Sequence, residues 1–566
     1  MKTDRGKSAG GSSALWQSAA LLGGAALLSK LIGTFQKIPL QNLAGDEVFG
    51  LYSAVYSLAV MWMTLASAGV PIAVSVLVAE RAADGDEAGI RRVLRYSLVV
   101  LTASGLIAFA ILLLGADLFA EWMGVQEAAQ AIRTSSLALL FAPMTAALRG
   151  YSQGRMRMLG PAVSQLSEQT ARVAFMLVAL LLAVDHAWST GATAAAVHGG
   201  LAIGGAAGLA VMAAMLWRER KASGPRAPSE ARSGAAASSP PRTERESRGA
   251  LLRRILAVAL PVAAGSIVAP LFGLIDAFTL PRLLQSAGST AAEAMASFGE
   301  YNRGIALLQL IVMAAGGASG ALVPALTAAR TRGDLGGQRR QAAFALRLGW
   351  WFGGAAALGL ALLARPVNIA LFADAGGTTA MAIMAFAALG GTLQAIGASL
   401  LQGLGDLRSP AVHLAVAALI KAALNALLAP GFGIDGAAVA ALAAYGSAAL
   451  LNALALRRLL PPRAALDAAA AGSAPRAALR LAPALAAMAA AVALLAALLG
   501  SLTRGVPPRA GALLTALPCI AAGAVVFAAA LVATGALAPR EWRALPGCGA
   551  GSRIDRLLLR LRANRE

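Results

Sequence analysis

Long apolar runs separated by short polar stretches organise this chain. From Val48 to Val78 no Asp, Glu, Lys or Arg occurs, and a helix needs only about 20 apolar residues to cross a bilayer. The pattern predicts fourteen helical spans, near 13–41, 48–80, 93–115, 130–153, 161–184, 191–217, 251–285, 298–329, 341–365, 378–402, 410–430, 434–460, 479–501 and 510–535. The fold class expected is therefore all-α and polytopic. Prolines at 39, 71, 143, 261, 270 and 324 fall within spans, where each frees a backbone carbonyl that a neighbour or water must satisfy.

The pattern also repeats. Gln153-Gly154 followed by Pro161-Ala162-Val163 returns 249 residues later as Gln402-Gly403 followed by Pro410-Ala411-Val412. Each copy carries a cation eleven residues beyond its proline, Arg172 and Lys421. Gly85-Asp86 with Arg91-Arg92 matches Gly333-Asp334 with Arg339-Arg340, and Ile38-Pro39 matches Leu280-Pro281. Six spans separate the copies, so both enter the membrane in the same orientation, as a parallel repeat. This divides the chain into an N-lobe (1–217, spans 1–6) and a C-lobe (251–460, spans 7–12). Between them lies a Ser/Pro/Arg-rich cytoplasmic linker (218–250), and spans 13–14 with a basic tail follow (461–566). One chain holds both lobes, so a monomer suffices.

Composition agrees with a membrane setting. The chain is 58% hydrophobic and 13% charged, whereas soluble domains carry about 25% charged residues. Its net charge of +21 first suggests nucleic acid. With the N-terminus inside, however, most of the 48 Lys and Arg fall on the cytoplasmic side of the spans, which is the positive-inside pattern. No nucleic-acid partner is needed, both termini are expected in the cytoplasm, and the polar N-terminus predicts no cleavable signal peptide. Cys519 and Cys548 and the three histidines lack metal-ligand spacing, and no phosphate loop or hydrolase motif occurs. A transporter without metal or catalytic residues is expected rather than an enzyme.

The candidate chemistry lies in charges inside spans. Lys30, Lys37 and Arg303 interrupt apolar segments, and a charge at the bilayer centre costs roughly 2.5–3.5 kcal/mol even on insertion scales. Cations so placed point to a cavity that receives an anion. Lys30 and Lys37 lie two turns apart on one helix face, with Gly33 between them allowing a close approach. Gly33, Pro39 and Pro281 are the candidate hinges, and Asp46 and Glu47 form a gating or solvated turn after the first span. Arg303 has Glu300 three residues before it as an alternative partner, and its fork suits two phosphate oxygens. Arg172 has Glu168 one turn earlier, which reads as a structural ion pair. Asp276 and Lys421 are isolated charges that either pair across the lobe or serve cation coupling.

The stretches SKLIGTFQKIPLQNLAGDEVFGLY, RGYSQGRMRMLGPAVSQLSEQ, YNRGIALLQL and LQGLGDLRSPAVHLAVAALIKAALNALLAPGFGIDGAAVAALAAYG resemble the multidrug/oligosaccharidyl-lipid/polysaccharide (MOP) exporter superfamily. Within it they are similar to the stage V sporulation protein B and MurJ-like lipid II flippase branch. That resemblance implies a fourteen-span flippase in the bacterial cytoplasmic membrane, moving an undecaprenyl-pyrophosphate-linked glycan for peptidoglycan or spore-cortex synthesis. It implies that Lys30, after Ser29, stands for a family arginine, that Arg303 matches the essential span-eight arginine, and that Asp276 matches an acidic residue of a sodium site. It also implies that spans 13 and 14 form a groove for the lipid tail.

Three departures stand out. Gln36 occupies the family's second first-span cation position, with Lys37 adjacent. Val60 to Met63 lack a span-two arginine, and Lys421 stands where an acidic residue is expected. The coupling ion, sodium or a proton, stays open. Alternatives are a flippase for another lipid-linked polysaccharide, a cation-coupled multidrug exporter, and a non-transporting assembly factor that recruits wall-synthesis enzymes. The exporter reading is disfavoured by the sign of Lys30 and Lys37.

Overall fold

The computed structural model describes residues 21–67, 69–222, 248–319, 322–460, 474–536 and 552. Most of the expected linker, both basic ends and the 461–473 stretch lie outside them. The described residues are helical throughout and form two compact units, Met1–Arg282 and Leu283–Glu566.

The first unit contains α1 (21–35), α2 (Lys37–Ser67), α3 (Val70–Ala83), α4 (Glu87–Leu114), α5 (Ala116–Met123), α6 (Ala128–Ser136), α7 (Ala142–Gly154), α8 (Leu159–Asp185), α9 (Thr190–Ala222) and most of α10 (Arg248–Ser286). Pro39 lacks an N–H and crowds the carbonyl four residues earlier. The chain accordingly leaves the helix at Gln36, between α1 and α2. Gly45, with φ of 80° and ψ of 176°, bends α2 and ends the first span before Asp46 and Glu47. Pro281, by contrast, lies within a continuous α10.

The second unit holds α11 (Ala291–Ser319), α12 (Leu322–Thr331), α13 (Leu335–Leu362), α14 (Ala364–Phe372), α15 (Thr378–Gly403), α16 (Ser409–Leu459), α17 (Ala474–Leu502) and α18 (Pro508–Ala533). Gly433, three residues after Pro430, divides α16 into two spans. The C-terminal pair packs Met488, Val492, Phe527 and Leu531 against Trp351 and Leu363.

Eleven helical stretches among the described residues are long and apolar enough to cross a membrane. Two of them, Leu21–Ala83 and Ser409–Leu459, are broken by the glycines just named and count as pairs. Outward faces are apolar, as with Val99 (61% exposed) and Leu427 (73%), which is the surface lipid rather than water would cover.

The repeat is visible in local geometry. Gly85 and Gly333 take φ of 70° and 68°, and the next residues cap α4 and α13 identically. Asp86 accepts the Gly89 N–H and Asp334 the Gly337 N–H, each at 2.7 Å. Replacing either aspartate by alanine is expected to cost about 1 kcal/mol, read as a similar fall in thermal midpoint for both variants.

The first compact unit extends past the linker. Leu251, Ile255 and Ala259 of α10 join the core of Val70, Val74, Leu77 and Ile90, and Arg254 pairs with Glu80 at 2.7 Å. Gly69 permits this approach, because a Cβ there would lie 2.3 Å from the Ala259 carbonyl oxygen. The seventh span, assigned by sequence to the C-lobe, thus packs up to Arg282 with the first unit.

Candidate functional site: buried cations in each unit

In the first unit the site begins with how α8 meets α9. Gly200, Gly204 and Gly208 line one face of α9, and Cβ atoms there would meet the Arg172 carbonyl oxygen at 2.7 Å, the Glu168 carbonyl oxygen at 2.6 Å and Arg149 Nη2 at 3.1 Å. Small residues let membrane helices approach this closely. The contact fixes Arg172 at the middle of α8. Its Nη2 donates to the Tyr52 hydroxyl at 2.8 Å. Its guanidinium also lies 4.8 Å from the centroid of the Tyr56 ring. Tyr52 and Tyr56 are one turn apart on α2 and stack at 5.7 Å. Gln36 Nε2 donates to the same Tyr52 hydroxyl at 3.0 Å, and the His198 ring lies 4.7 Å from Tyr52.

This arrangement corrects the expected Glu168–Arg172 pair. Glu168 instead accepts from Arg149 Nη2 at 2.6 Å, and Arg149 also donates to Ser164, whose hydroxyl bonds the Gly208 carbonyl. The physical reason is orientation: Arg172 projects toward the phenols of α2, while Glu168 is held by α7. Among the described residues Arg172 has no carboxylate partner.

Lys37 is buried, with 8% of its surface exposed, and it lies in the electrostatic neighbourhood of Tyr56 and Arg172. It too makes no salt bridge among the described residues. Gly33 lies one turn before Lys37, and a Cβ on it would come 2.9 Å from Gln169 Nε2. The expected close approach at Gly33 is therefore to Gln169 of α8. Lys30 sits exposed on α1. Asp46 accepts from Gln41 Nε2 at 3.3 Å. Asp276 is buried in α10. No group of three His, Cys, Asp or Glu side chains that could hold a metal ion occurs among the described residues.

In the second unit Arg303 is fully buried. Its Nη2 donates to Asp374 at 2.9 Å and its Nη1 to Asn368 Oδ1 at 3.2 Å, and the guanidinium lies 5.4 Å from the Phe372 ring centroid. One carboxylate partner is thus Asp374, in the loop after α14. Burial works against ionisation of Asp374. The Arg303 hydrogen bond and the backbone N–H groups of Gly376 and Ala375 outweigh it and hold the carboxyl below its ordinary range. Lys421, also buried, donates to the Tyr301 hydroxyl at 3.1 Å.

Tyr301 stands 249 residues after Tyr52, the spacing that also relates Lys421 to Arg172. Each unit therefore sets a cation of one helix on a tyrosine of another, the half-buried Arg172 on Tyr52 and the buried Lys421 on Tyr301. Sequence reading missed the tyrosines, Asn368 and Asp374. FGLY at 49–52 and FGEY at 298–301 were the available signal for the tyrosines; no local motif marks Asp374.

Each unit thus carries buried or half-buried cations held by side chains of neighbouring helices. The sequence profile of the polysaccharide biosynthesis protein family matches residues 15–329. The chain belongs to that family. Its relatives include membrane protein YabM of Bacillus subtilis (strain 168), 31% identical over 450 residues, covering 78% of this chain and 80% of the relative. The lipid II flippase MurJ of the same organism is 26% identical over 458 residues, covering 76% and 80%. Among solved structures, lipid II flippase MurJ in an inward closed conformation superposes with a TM-score of 0.63 at 10% identity, over 90% of this chain and 97% of the other. This family member is an all-helical protein with many candidate membrane spans and the fold of the lipid II flippase MurJ.

Proposed function

We propose that this chain is a flippase for an anionic polyprenyl-pyrophosphate-linked glycan precursor, with lipid II as the first candidate cargo, working between the cytoplasmic and outer leaflets. The observation that carries the reading is the pair of cations in the first unit, the buried Lys37 and the half-buried Arg172, neither with a carboxylate partner among the described residues. Unpaired charge in a membrane interior is costly, and a phosphate group offsets that cost for as long as it is bound. In this reading Lys30 on the exposed face of α1 meets the headgroup first. Lys37 holds it, and Arg303 takes it when the phosphate replaces the Asp374 carboxylate. The prenyl tail stays in lipid. Outward movement of an anion is favoured by an inside-negative potential, by about 2.3 kcal/mol per charge per 100 mV. The breaks at Gln36 and Gly45 give the first span its hinges, and Asp276 is the candidate coupling group. Both termini lie in the cytoplasm.

Expression in a bacterium depleted of its lipid II flippase tests this. Growth is expected to be restored by the parent chain and lost in Lys37→Ala and Arg303→Ala at matched membrane levels. Failure of a well-inserted parent would remove lipid II as cargo. The family description, a polysaccharide biosynthesis protein, favours one second reading, a flippase for another lipid-linked glycan. Rescue of a strain lacking such a flippase would then replace rescue of the first.

A further inference from the structure

Three contacts of Arg303 come from one short segment. Asn368 lies on α14, Phe372 is its last residue, and Asp374 follows two residues later. Arg303 Nη1 also donates to the Gly376 carbonyl at 3.4 Å. The loop is tied to itself as well. Asp374 accepts the N–H groups of Ala375 and Gly376, and Asn368 Nδ2 donates to the Gly376 carbonyl at 2.7 Å. Whatever holds the end of α14 therefore holds the surroundings of Arg303. Val367, also on α14, shares a core with Met488 and Phe527 of the C-terminal helix pair.

The last carbonyls of a helix have no intrahelical partner. At the end of α14 the Ala370 and Leu371 carbonyls accept from Arg509, its Nε at 3.2 Å and its Nη2 at 3.4 Å. Arg509 is the second residue of α18, where a cation meets the positive end of its own helix dipole. Its favourable partner is the negative end of α14. Ala373, just past that end, takes the left-handed conformation with φ of 61°, which is costly for a residue with a Cβ. The first unit carries the same cap. Arg282 of α10 donates to the Glu121 carbonyl at the end of α5, 249 residues before Ala370. There the left-handed residue is Gly124, with φ of 78°, and glycine adopts it freely.

We propose that Arg509 is a positioning residue for Arg303. By capping α14 it keeps Ala373 left-handed, and so keeps Asp374 and Gly376 on the Arg303 guanidinium. The C-terminal helix pair lies outside the six-span repeat, yet through this cap it governs a buried cation within the repeat. Movement of α18 away from α14 releases the loop and, with it, the carboxylate. The coupling lies in the contact and not in the cargo, so it stands whatever the chain transports.

Hydrogen–deuterium exchange of the full chain in nanodiscs, followed by mass spectrometry across residues 373–378, tests this. Arg509→Gln is expected to raise exchange there about tenfold, as loss of a hydrogen bond from a charged group would. Arg509→Lys keeps the charge but loses the fork, and should fall between that variant and the parent. Adding Ala373→Gly to Arg509→Gln should restore most of the protection, because glycine holds the left-handed turn without the cap. A role confined to docking α18 would not respond to that addition. Arg504→Gln, which removes an exposed cation from the same α17–α18 connection, should exchange like the parent. In a double-mutant cycle, the thermal midpoint changes of Arg509→Gln and Asp374→Asn should be non-additive, since both act on one contact. Parent-like exchange across 373–378 in both Arg509 variants overturns the proposal. So does additivity in the cycle, or raised exchange that Ala373→Gly leaves unrescued.

Discussion

Arg303→Ala is expected to abolish transport and to loosen the Asp374 loop of the second unit as well, because Arg303 has no exposed surface and holds that loop in place. The truncation strands Asn368, which bonds both Arg303 and the Gly376 carbonyl, and removes the cation facing Asp374. Breaking a buried charge pair costs about 3–5 kcal/mol. Here Asp374 is 52% exposed, so solvent recovers part of its share and about 2–3 kcal/mol is the expected loss. Asp374→Asn keeps an acceptor oxygen and should lose less. The two effects separate by pH. The Asp374 carboxyl is held low in the folded chain, so its contribution is complete above the unfolded carboxylate range, near 4. It is lost as pH falls through the still lower folded value. The difference in thermal midpoint between parent and Asp374→Asn should therefore be constant from about pH 8 to 5 and close only below about pH 4. A gap that closes near neutrality would show that another group controls this contact.

Gly204→Leu should prevent the first unit from assembling. A Cβ at that position would already lie 2.6 Å from the Glu168 carbonyl oxygen and 2.8 Å from Arg172 Cβ, and neither atom is the free end of a flexible chain. The helices must separate, and overpacking of this kind costs about 1–3 kcal/mol or more. Separation also withdraws Arg172 from Tyr52 and Tyr56. Loss of monodisperse protein in size-exclusion chromatography after membrane extraction is the expected result. Gly249→Leu, where a Cβ meets nothing within 4 Å, should leave the profile unchanged. A Gly204→Leu protein that elutes and melts like the parent would contradict the close α8–α9 contact.

The helical fold was legible because its causes are local. Apolar runs of span length, Pro39 and the repeated Gly-Asp pairs each act through the backbone of a few neighbouring residues. The presence of cations inside apolar spans was equally legible at Lys37, Arg172, Arg303 and Lys421. Their partners were not. Glu168 and Arg172 are correctly spaced on one helix, yet Arg149 of α7 takes the carboxylate. Arg303 reaches Asp374, some seventy residues away.

The sequence by itself determined that this chain crosses a membrane many times, repeats a six-span unit and carries cations within it. Only the tertiary structure decided which side chain faces which cation. Helix spacing fixes the neighbours along one helix, whereas an ion pair or a phenol contact depends on which faces two separate helices turn toward each other. Those faces are chosen by packing over distances that no local pattern encodes, here by the glycine face of α9 that sets Arg172 against Tyr52.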